Sequence, residues 1–225
     1  MRSPNYEPRK ACTAPDLVVL HYTGMKDGAS ALARLCDPQS KVSAHYVVEE
    51  NGTVHSLVDE NMRAWHAGKS FWRGEVDINS HSIGIEMVNP GHEFGYRAFP
   101  DVQMRAVLNL CVEIKQRYGL SATAFIGHSD IAPLRKEDPG ELFNWKMLAS
   151  HGVGIWPEFI EQDNAALTLV EAEKLLSTIG YDTGIDEPSL RAAIRAFQRH
   201  YVQDCVTGEL EHETAKTIHA IARVC

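Results

Sequence analysis

The chain is predicted to be an α/β protein, with a mixed central β-sheet flanked by helices and a small three-helix domain at its C-terminal end. Short apolar runs alternate with helical patterns in residues 1–150, and a hairpin signal lies between two of the runs. Three amphipathic helical patterns follow in residues 166–225. Alternating strand and helix patterns favour a sheet covered by helices.

The strands are indicated by apolar runs and by one turn. Residues 16–21 (DLVVLH) are predicted to form a buried strand, because four consecutive apolar residues cannot alternate between core and solvent. Residues 44–48 and 53–58 flank Asn51-Gly52, a dipeptide that readily supplies two positive φ angles, so they are predicted to form a hairpin. A polar loop is predicted over residues 59–80, after the hairpin. Two further strands are predicted over residues 82–88 and 122–126.

Helices are predicted from apolar residues at helical spacing. A short helix is expected over residues 29–35, and a longer one over residues 102–118, where Gly119 ends the pattern. Thr168 and Glu171 form a predicted capping box at the start of the first C-terminal helix. The other two helices are expected over about 188–201 and 211–224. The predicted division of the chain is a large domain over 1–150, a linker over 151–165 and a three-helix domain over 166–225.

Charge and hydropathy exclude two classes of function. The formal net charge of the 225 residues is −8. Non-specific nucleic-acid binding requires clustered Lys and Arg, so we expect no nucleic-acid partner. No stretch approaches the roughly 18 consecutive apolar residues of a membrane-spanning helix, so we predict no transmembrane segment.

The compartment is predicted from the N-terminus and the cysteines. The first ten residues, MRSPNYEPRK, lack the apolar core of a signal peptide. The five cysteines are scattered, odd in number and without a CxxC pair, so we interpret them as free thiols: Cys12, Cys36, Cys111, Cys205 and Cys225. Both observations favour the cytoplasm, and the periplasm or outer membrane is the alternative if an export signal has been removed.

Two histidines stand at the ends of predicted strands. His21 ends the strand VVLH, and His128 follows the strand AFIG. Side chains at such positions project into the crevice where α/β proteins bind ligands. Asp138 follows ten residues after His128 on a Pro-containing loop. Two imidazoles and one carboxylate suit a catalytic zinc site with one open position. The pattern alone leaves structural roles open, because the chain has no HExxH motif.

Five motifs occur in the order found in one enzyme family. They are HYTG (21–24), SAHYVV (43–48), RAWHAGKS (63–70), NSHSIGIEM (79–87) and GHSDIAPLRKEDPG (127–140). Together they resemble the zinc-dependent type 2 N-acetylmuramoyl-L-alanine amidases, over roughly residues 3–150. The resemblance implies the fold that these amidases share with peptidoglycan-recognition proteins, and a Zn²⁺ ion held by His21, His128 and Asp138.

The resemblance also implies roles for four other residues. Glu86, within SIGIE, is expected to be the general base and proton shuttle, because a carboxylate can accept a proton from water and pass it to an amine. Lys136 is expected to stabilise the oxyanion. Trp65 and His66 are expected to contact the sugar-peptide junction of the substrate, with core packing as the alternative for Trp65. His45 is interpreted as structural.

The C-terminal residues resemble a second family. The segments GYDTG (180–184), LRAAIRAFQRHY (190–201) and TGELEHET (207–214) resemble small three-helix peptidoglycan-binding domains. Peptidoglycan or its muropeptide fragments are therefore the expected partners; the oligomeric state is left open.

Three functions compete at this stage. The first is hydrolysis of the amide between N-acetylmuramic acid, or its 1,6-anhydro form, and L-alanine of the stem peptide. The second is a recognition protein that binds muropeptide without cutting it, and the third is an amidase for an unrelated amide. The presence of all three expected zinc ligands favours an enzyme over a recognition protein, and the second domain argues against an unrelated amide.

Overall fold

The computed structural model describes residues 1–10 and 14–225 of the chain, so Cys12 lies outside the described residues. The strands in these ranges are β1 (Tyr6–Pro8), β2 (Leu17–Tyr22), β3 (Tyr46–Val48), β4 (Val54–Ser56), β5 (Met62–Ala64), β6 (Ser82–Met87) and β7 (Phe125–Gly127). The helices are α1 (Gly28–Cys36), α2 (Ile78–His81), α3 (Gly91–Phe94), α4 (Asp101–Tyr118), α5 (His128–Ile131), α6 (Trp145–Ala149), α7 (Leu169–Ile179), α8 (Glu187–Tyr201) and α9 (His212–Ala222).

The central sheet has five strands in the order β4-β3-β6-β2-β7. Strands β3, β6, β2 and β7 are parallel, and β4 joins β3 as the antiparallel arm of the predicted hairpin. The mixed sheet flanked by helices is therefore confirmed. His21 on β2 lies in register with Glu86 on β6, so both residues are at the carboxyl edge of the parallel strands.

Two parts of the strand prediction were wrong. The predicted loop 59–80 contains β5, which pairs with the distant strand β1, and it ends within the short helix α2. A three-residue strand carries too little period-2 signal to be recognised without its partner. Residues 122–124 form a 3₁₀ turn, and the strand predicted over 122–126 begins only at Phe125.

Helices α3, α5 and α6 were not predicted, because four or five residues are too few to show a helical period.

Helix α4 covers one face of the sheet. Val18, Leu20, Ile83 and Ile85 alternate with residues of the opposite face and pack in one apolar cluster with α4 side chains, among them Ile114. Burial of each such side chain contributes about 1.5–3 kcal/mol. The helix ends where predicted, at Gly119, whose φ of 65° is in the left-handed region that favours glycine.

The opposite face of the sheet packs against the C-terminal helices. Val19 and Ile126 belong to a second apolar cluster that also contains Leu176, Ile194 and Phe197 from α7 and α8. The predicted capping box of α7 is present, because Thr168 N donates to Glu171 and Glu171 N donates to Thr168 Oγ1. The three C-terminal helices, here called the C-terminal module (166–225), therefore share a continuous core with the first domain.

Two further predictions concern the state of the cysteines and the presence of a membrane-spanning helix. The cysteines at positions 36, 111, 205 and 225 are free thiols, as predicted. Within residues 1–10 and 14–225, no helix is both long and apolar enough to cross a membrane.

Candidate metal centre

The candidate centre lies at the carboxyl edge of the parallel strands. His21 is the fifth residue of β2, and His128 follows β7 directly as the first residue of α5. Because β2 and β7 are adjacent and parallel, their carboxyl ends meet at the same edge. Asp138 returns to this edge from the following loop, where its carbonyl accepts a hydrogen bond from Ser129 N at 2.8 Å. The fold thus brings together the three residues that the sequence selected.

The three side chains converge on one point. His21 Nδ1 lies 2.9 Å from His128 Nδ1 and 3.1 Å from Asp138 Oδ2, and His128 Nδ1 lies 3.0 Å from the same oxygen. Ligand atoms at 2.0–2.1 Å from a tetrahedral zinc ion would be about 3.3 Å apart, which is close to these distances. The exposed fractions are 1% for His21, 4% for His128 and 5% for Asp138. In the described part of the chain, this is the one cluster of His, Cys, Asp or Glu suited to hold a metal ion.

Hydrogen bonds to the other ring nitrogen decide which nitrogen of each histidine faces the centre without a proton. His128 Nε2 lies 3.1 Å from the carbonyl oxygen of Ala67, an acceptor, so Nε2 carries the proton and Nδ1 keeps a free lone pair. His128 therefore presents an unprotonated Nδ1 to the centre, which is the form that binds a metal ion.

A chain of three hydrogen bonds gives the same result for His21. Ser82 Oγ donates to the carbonyl of Ile78 at 2.6 Å, so its oxygen accepts from His66 Nε2 at 3.2 Å. His66 Nδ1 must then accept, and its partner is His21 Nε2 at 3.0 Å. His21 consequently donates through Nε2 and presents the lone pair of Nδ1 to the centre.

The pKa values in the centre agree with metal ligation. Burial, reinforced by His128, lowers the pKa of His21 from 6.5 to about 4, so His21 is neutral at pH 7. Burial alone would raise the pKa of Asp138, but His128 and His21 outweigh it and hold that pKa well below its ordinary value. At neutral pH the centre therefore combines a neutral His21 imidazole with the Asp138 carboxylate.

Glu86 lies beside the centre without a partner for one of its oxygens. Its Oε2 atom is buried and has no hydrogen-bond partner among the described residues. Burial raises the pKa of the Glu86 carboxyl well above its ordinary value of 4.5; Asp138 raises it further, and Lys136 opposes the shift. An unpaired buried carboxyl group is costly, which favours a functional role.

A cavity of about 720 Å³ opens beside the centre. Six of the seven predicted site residues line it: Trp65, His66, Glu86, His128, Lys136 and Asp138. The cavity continues along α1, from Lys26 just before the helix, past Ser30, to Arg34 in its last turn. Sequence reasoning did not select these three, because polar residues on and beside a surface helix are common. It also missed Ser82, whose only signal is a polar residue at the start of an apolar strand.

Both ring nitrogens of His66 form hydrogen bonds within the protein, and the ring packs against Gly84 of strand β6. A Cβ atom at Gly84 would lie 2.4 Å from His66 Cγ, so only glycine leaves room for this imidazole. Trp65 is partly buried and its indole nitrogen has no hydrogen-bond partner in the described residues.

Comparisons with known proteins give a consistent result. Residues 11–141 match the N-acetylmuramoyl-L-alanine amidase family, and residues 168–218 match a peptidoglycan binding domain family. The amidase AmiD of Escherichia coli K12 is 37% identical to this chain over an alignment of 227 residues. The alignment covers 91% of this chain and 81% of that protein.

Solved structures extend the likeness to the whole fold. The structure of E. coli AmiD with anhydro-N-acetylmuramic acid-L-Ala-D-γ-Glu-L-Lys has a TM-score of 0.83 and 33% identity, and covers 100% of this chain and 93% of its own. AmpDh3 of Pseudomonas aeruginosa in complex with anhydromuramic pentapeptide has a TM-score of 0.86 at 28% identity, with coverages of 100% and 98%.

Proposed function

Because the chain belongs to the N-acetylmuramoyl-L-alanine amidase family, we propose that it cleaves the amide between the lactyl group of N-acetylmuramic acid, or its 1,6-anhydro form, and L-alanine of the stem peptide. The observation that carries the proposal is the convergence of His21, His128 and Asp138 next to Glu86 in an open cavity. Two similar structures hold anhydromuramyl peptides, which supports the same substrate class here.

Zinc is the metal that we propose for the centre. Two imidazole nitrogens and one carboxylate oxygen are a donor set of catalytic zinc sites and leave the fourth position open. When bound, zinc would polarise the scissile carbonyl and lower the pKa of a coordinated water. His21, His128 and Asp138 would hold it, because each histidine turns an Nδ1 lone pair toward the centre and Asp138 offers a carboxylate oxygen.

Glu86 is proposed to move the proton of the attacking water, and Lys136 is proposed to stabilise the negative charge that develops on the substrate oxygen. The free Oε2 atom of Glu86 accepts a proton from the attacking water and delivers it to the nitrogen of the departing amine. Lys136 lines the same cavity, so its ammonium can face the oxygen on which negative charge develops. Charge of this kind is stabilised most where the site excludes water.

Trp65 and His66 are proposed to act at different distances from the substrate. Trp65 lines the cavity, so its ring is proposed to contact the sugar-peptide junction of the substrate. The predicted substrate contact of His66 stays a prediction, since both of its nitrogens already have partners. We propose that its main role is to hold His21 in the ligating tautomer.

The C-terminal module is proposed to contact peptidoglycan, since residues 168–218 match a peptidoglycan binding domain family.

The domain boundaries and the cytoplasmic location stay predictions. Fractionation of cells that make the protein tests the location: activity in the periplasmic or membrane fraction would overturn it.

The first experiment is mass spectrometry of the products from a purified anhydro-muropeptide. We expect free peptide and free anhydro-sugar, with no products in the presence of a zinc chelator and full activity after zinc is added back. A parallel incubation with an N-acyl amino acid tests the unrelated-amide alternative. Binding of the muropeptide without cleavage, by protein that verifiably contains zinc, would instead support a recognition protein.

A further inference from the structure

A carboxylate next to the metal centre is shared by the two halves of the chain. Asp130 is fully buried in the turn that carries His128. Its Oδ1 atom accepts from the hydroxyl of Tyr181 at 2.7 Å, and its Oδ2 atom lies 2.8 Å from His200 Nδ1. Both partners belong to the C-terminal module. A buried carboxylate needs such donors, because its desolvation is otherwise uncompensated.

The same carboxylate also binds the backbone of the centre. Gly127 N, the amide directly before His128, donates to Asp130 Oδ2 at 2.7 Å. Asp130 therefore connects Tyr181 and His200 to the residue that precedes a proposed ligand. A change in the position of its carboxylate would change the turn from which His128 projects.

A second connection reaches the loop of Asp138. Arg199, adjacent to His200 on α8, has its Nη2 atom 2.6 Å from Glu137 Oε1, and Glu137 directly precedes Asp138. Gln203 Nε2 donates to the carbonyl of Phe143 at 2.7 Å, further along the same segment. The end of α8 thus contacts the chain beside both His128 and Asp138.

Ring packing holds these donors in place. The His200 ring stacks on Trp145 with a centroid distance of 3.7 Å and an interplanar angle of 19°. Tyr181 packs edge-on against Trp72 at 5.1 Å. Because the interior on both sides is closely packed, the two donors cannot shift independently of the first domain.

We propose that Tyr181 and His200 of the C-terminal module are positioning residues for the metal centre. This role goes beyond contact with peptidoglycan, and it rests on the proposed function only in requiring that the centre bind zinc. Partners outside the ligand shell typically change metal affinity 10- to 100-fold when removed. Since these two residues act through Asp130, we expect the lower part of that range.

The test uses the full chain and the zinc dissociation constant, measured by competition with a chromophoric chelator. Tyr181→Phe removes one oxygen, and His200→Leu removes the ring donor. Each should raise the dissociation constant about 10-fold and change the visible absorption spectrum of the cobalt-substituted protein. His200→Asn, which restores an N–H donor at the position of Nδ1, should recover most of the affinity.

The matched control lies at the same interface but away from the ligands. Arg73 Nε donates to the carbonyl of Ile179 at 2.9 Å, and Arg73→Gln removes that contact. Denaturant unfolding of each metal-free variant reports the general loss of stability. We expect Arg73→Gln to lose stability while its zinc dissociation constant stays at the wild-type value.

The outcomes separate this inference from the proposed function. Equal zinc affinity and unchanged cobalt spectra in Tyr181→Phe, His200→Leu and the wild-type protein would overturn the positioning role and leave the amidase proposal intact. Equal loss of affinity in Arg73→Gln would also overturn it, because the effect would then follow stability alone. Failure of the wild-type protein to bind zinc would overturn both.

Discussion

The Nε2 atom of His21 lies 3.0 Å from the Nδ1 atom of His66, and this contact connects the candidate metal centre to the backbone of the sheet. His66 Nε2 continues to Ser82 Oγ, which donates to the carbonyl of Ile78. Since a carbonyl only accepts, the direction of every hydrogen bond in the chain follows from its last member. The tautomer of His21 is therefore set by a group that is two side chains away.

Removal of the Ser82 hydroxyl should weaken metal binding. In Ser82→Ala, His66 Nε2 loses its acceptor, so His66 can donate through Nδ1 and leave His21 protonated at the atom that faces the metal. We expect the zinc dissociation constant of the full chain to rise about 10-fold by chelator competition. Ser3→Ala is the matched control, because Ser3 is a buried serine whose hydroxyl donates to the carbonyl of Leu35. Equal zinc affinity in the two variants would contradict the tautomer role.

Replacement of Glu86 should stop turnover without removing the metal. Glu86→Gln keeps the shape of the side chain but cannot accept the proton, so we expect kcat for muropeptide cleavage to fall at least about 100-fold. Metal content by atomic absorption should match the wild-type value, because Glu86 is not among the three residues proposed to hold the metal ion. Activity within a few-fold of wild type would remove Glu86 from the mechanism.

Lys136 should act on the rate more than on substrate binding. In Lys136→Met the aliphatic length is kept and the positive charge is lost, so the proposed stabilisation of the oxyanion should be lost. We expect kcat to fall about 100-fold with KM changed by less than about 3-fold. Lys69→Met, a change of the same kind outside the cavity beside the centre, should be active. A rise in KM at constant kcat would assign Lys136 to ground-state binding instead.

The metal-free protein should lose stability as the pH falls below 6.5. Burial lowers the pKa of His45 from 6.5 to about 4, so the unfolded state binds a proton in this window that the folded state does not. The contribution of neutral His45 is complete above pH 6.5 and is lost as the pH falls to about 4, to a limit of about 3 kcal/mol.

Urea unfolding in the presence of a chelator, at pH 7 and pH 4.5, measures this loss. His45→Asn keeps an acceptor for Gly84 N, which donates to His45 Nδ1 at 2.9 Å, but it does not titrate. The free energy of unfolding of the variant should therefore depend less on pH than that of the wild-type protein. The same pH dependence in both would show that His45 does not contribute.

The sequence by itself determined the elements that local periodicity encodes and the residues that meet at the strand ends. The apolar strand before His21, the Asn51-Gly52 hairpin and α4 with its terminal Gly119 all have signals within a few residues of chain. The convergence of His21 and His128 was predictable because parallel strands bring their carboxyl ends to one edge of a sheet. The ordered motifs supplied the family.

Contacts between distant segments could be decided only by the tertiary structure. Strand β5 exists because β1 pairs with it, and no local pattern marks a three-residue strand. The tautomer of His21 depends on Ser82, which is 61 residues away in the chain. Asp130 is hydrogen-bonded to Tyr181 and His200 of the C-terminal module, 51 and 70 residues further on. Periodicity reports which face of an element is apolar, whereas the partner of a polar group is set by the packing of whole elements against one another.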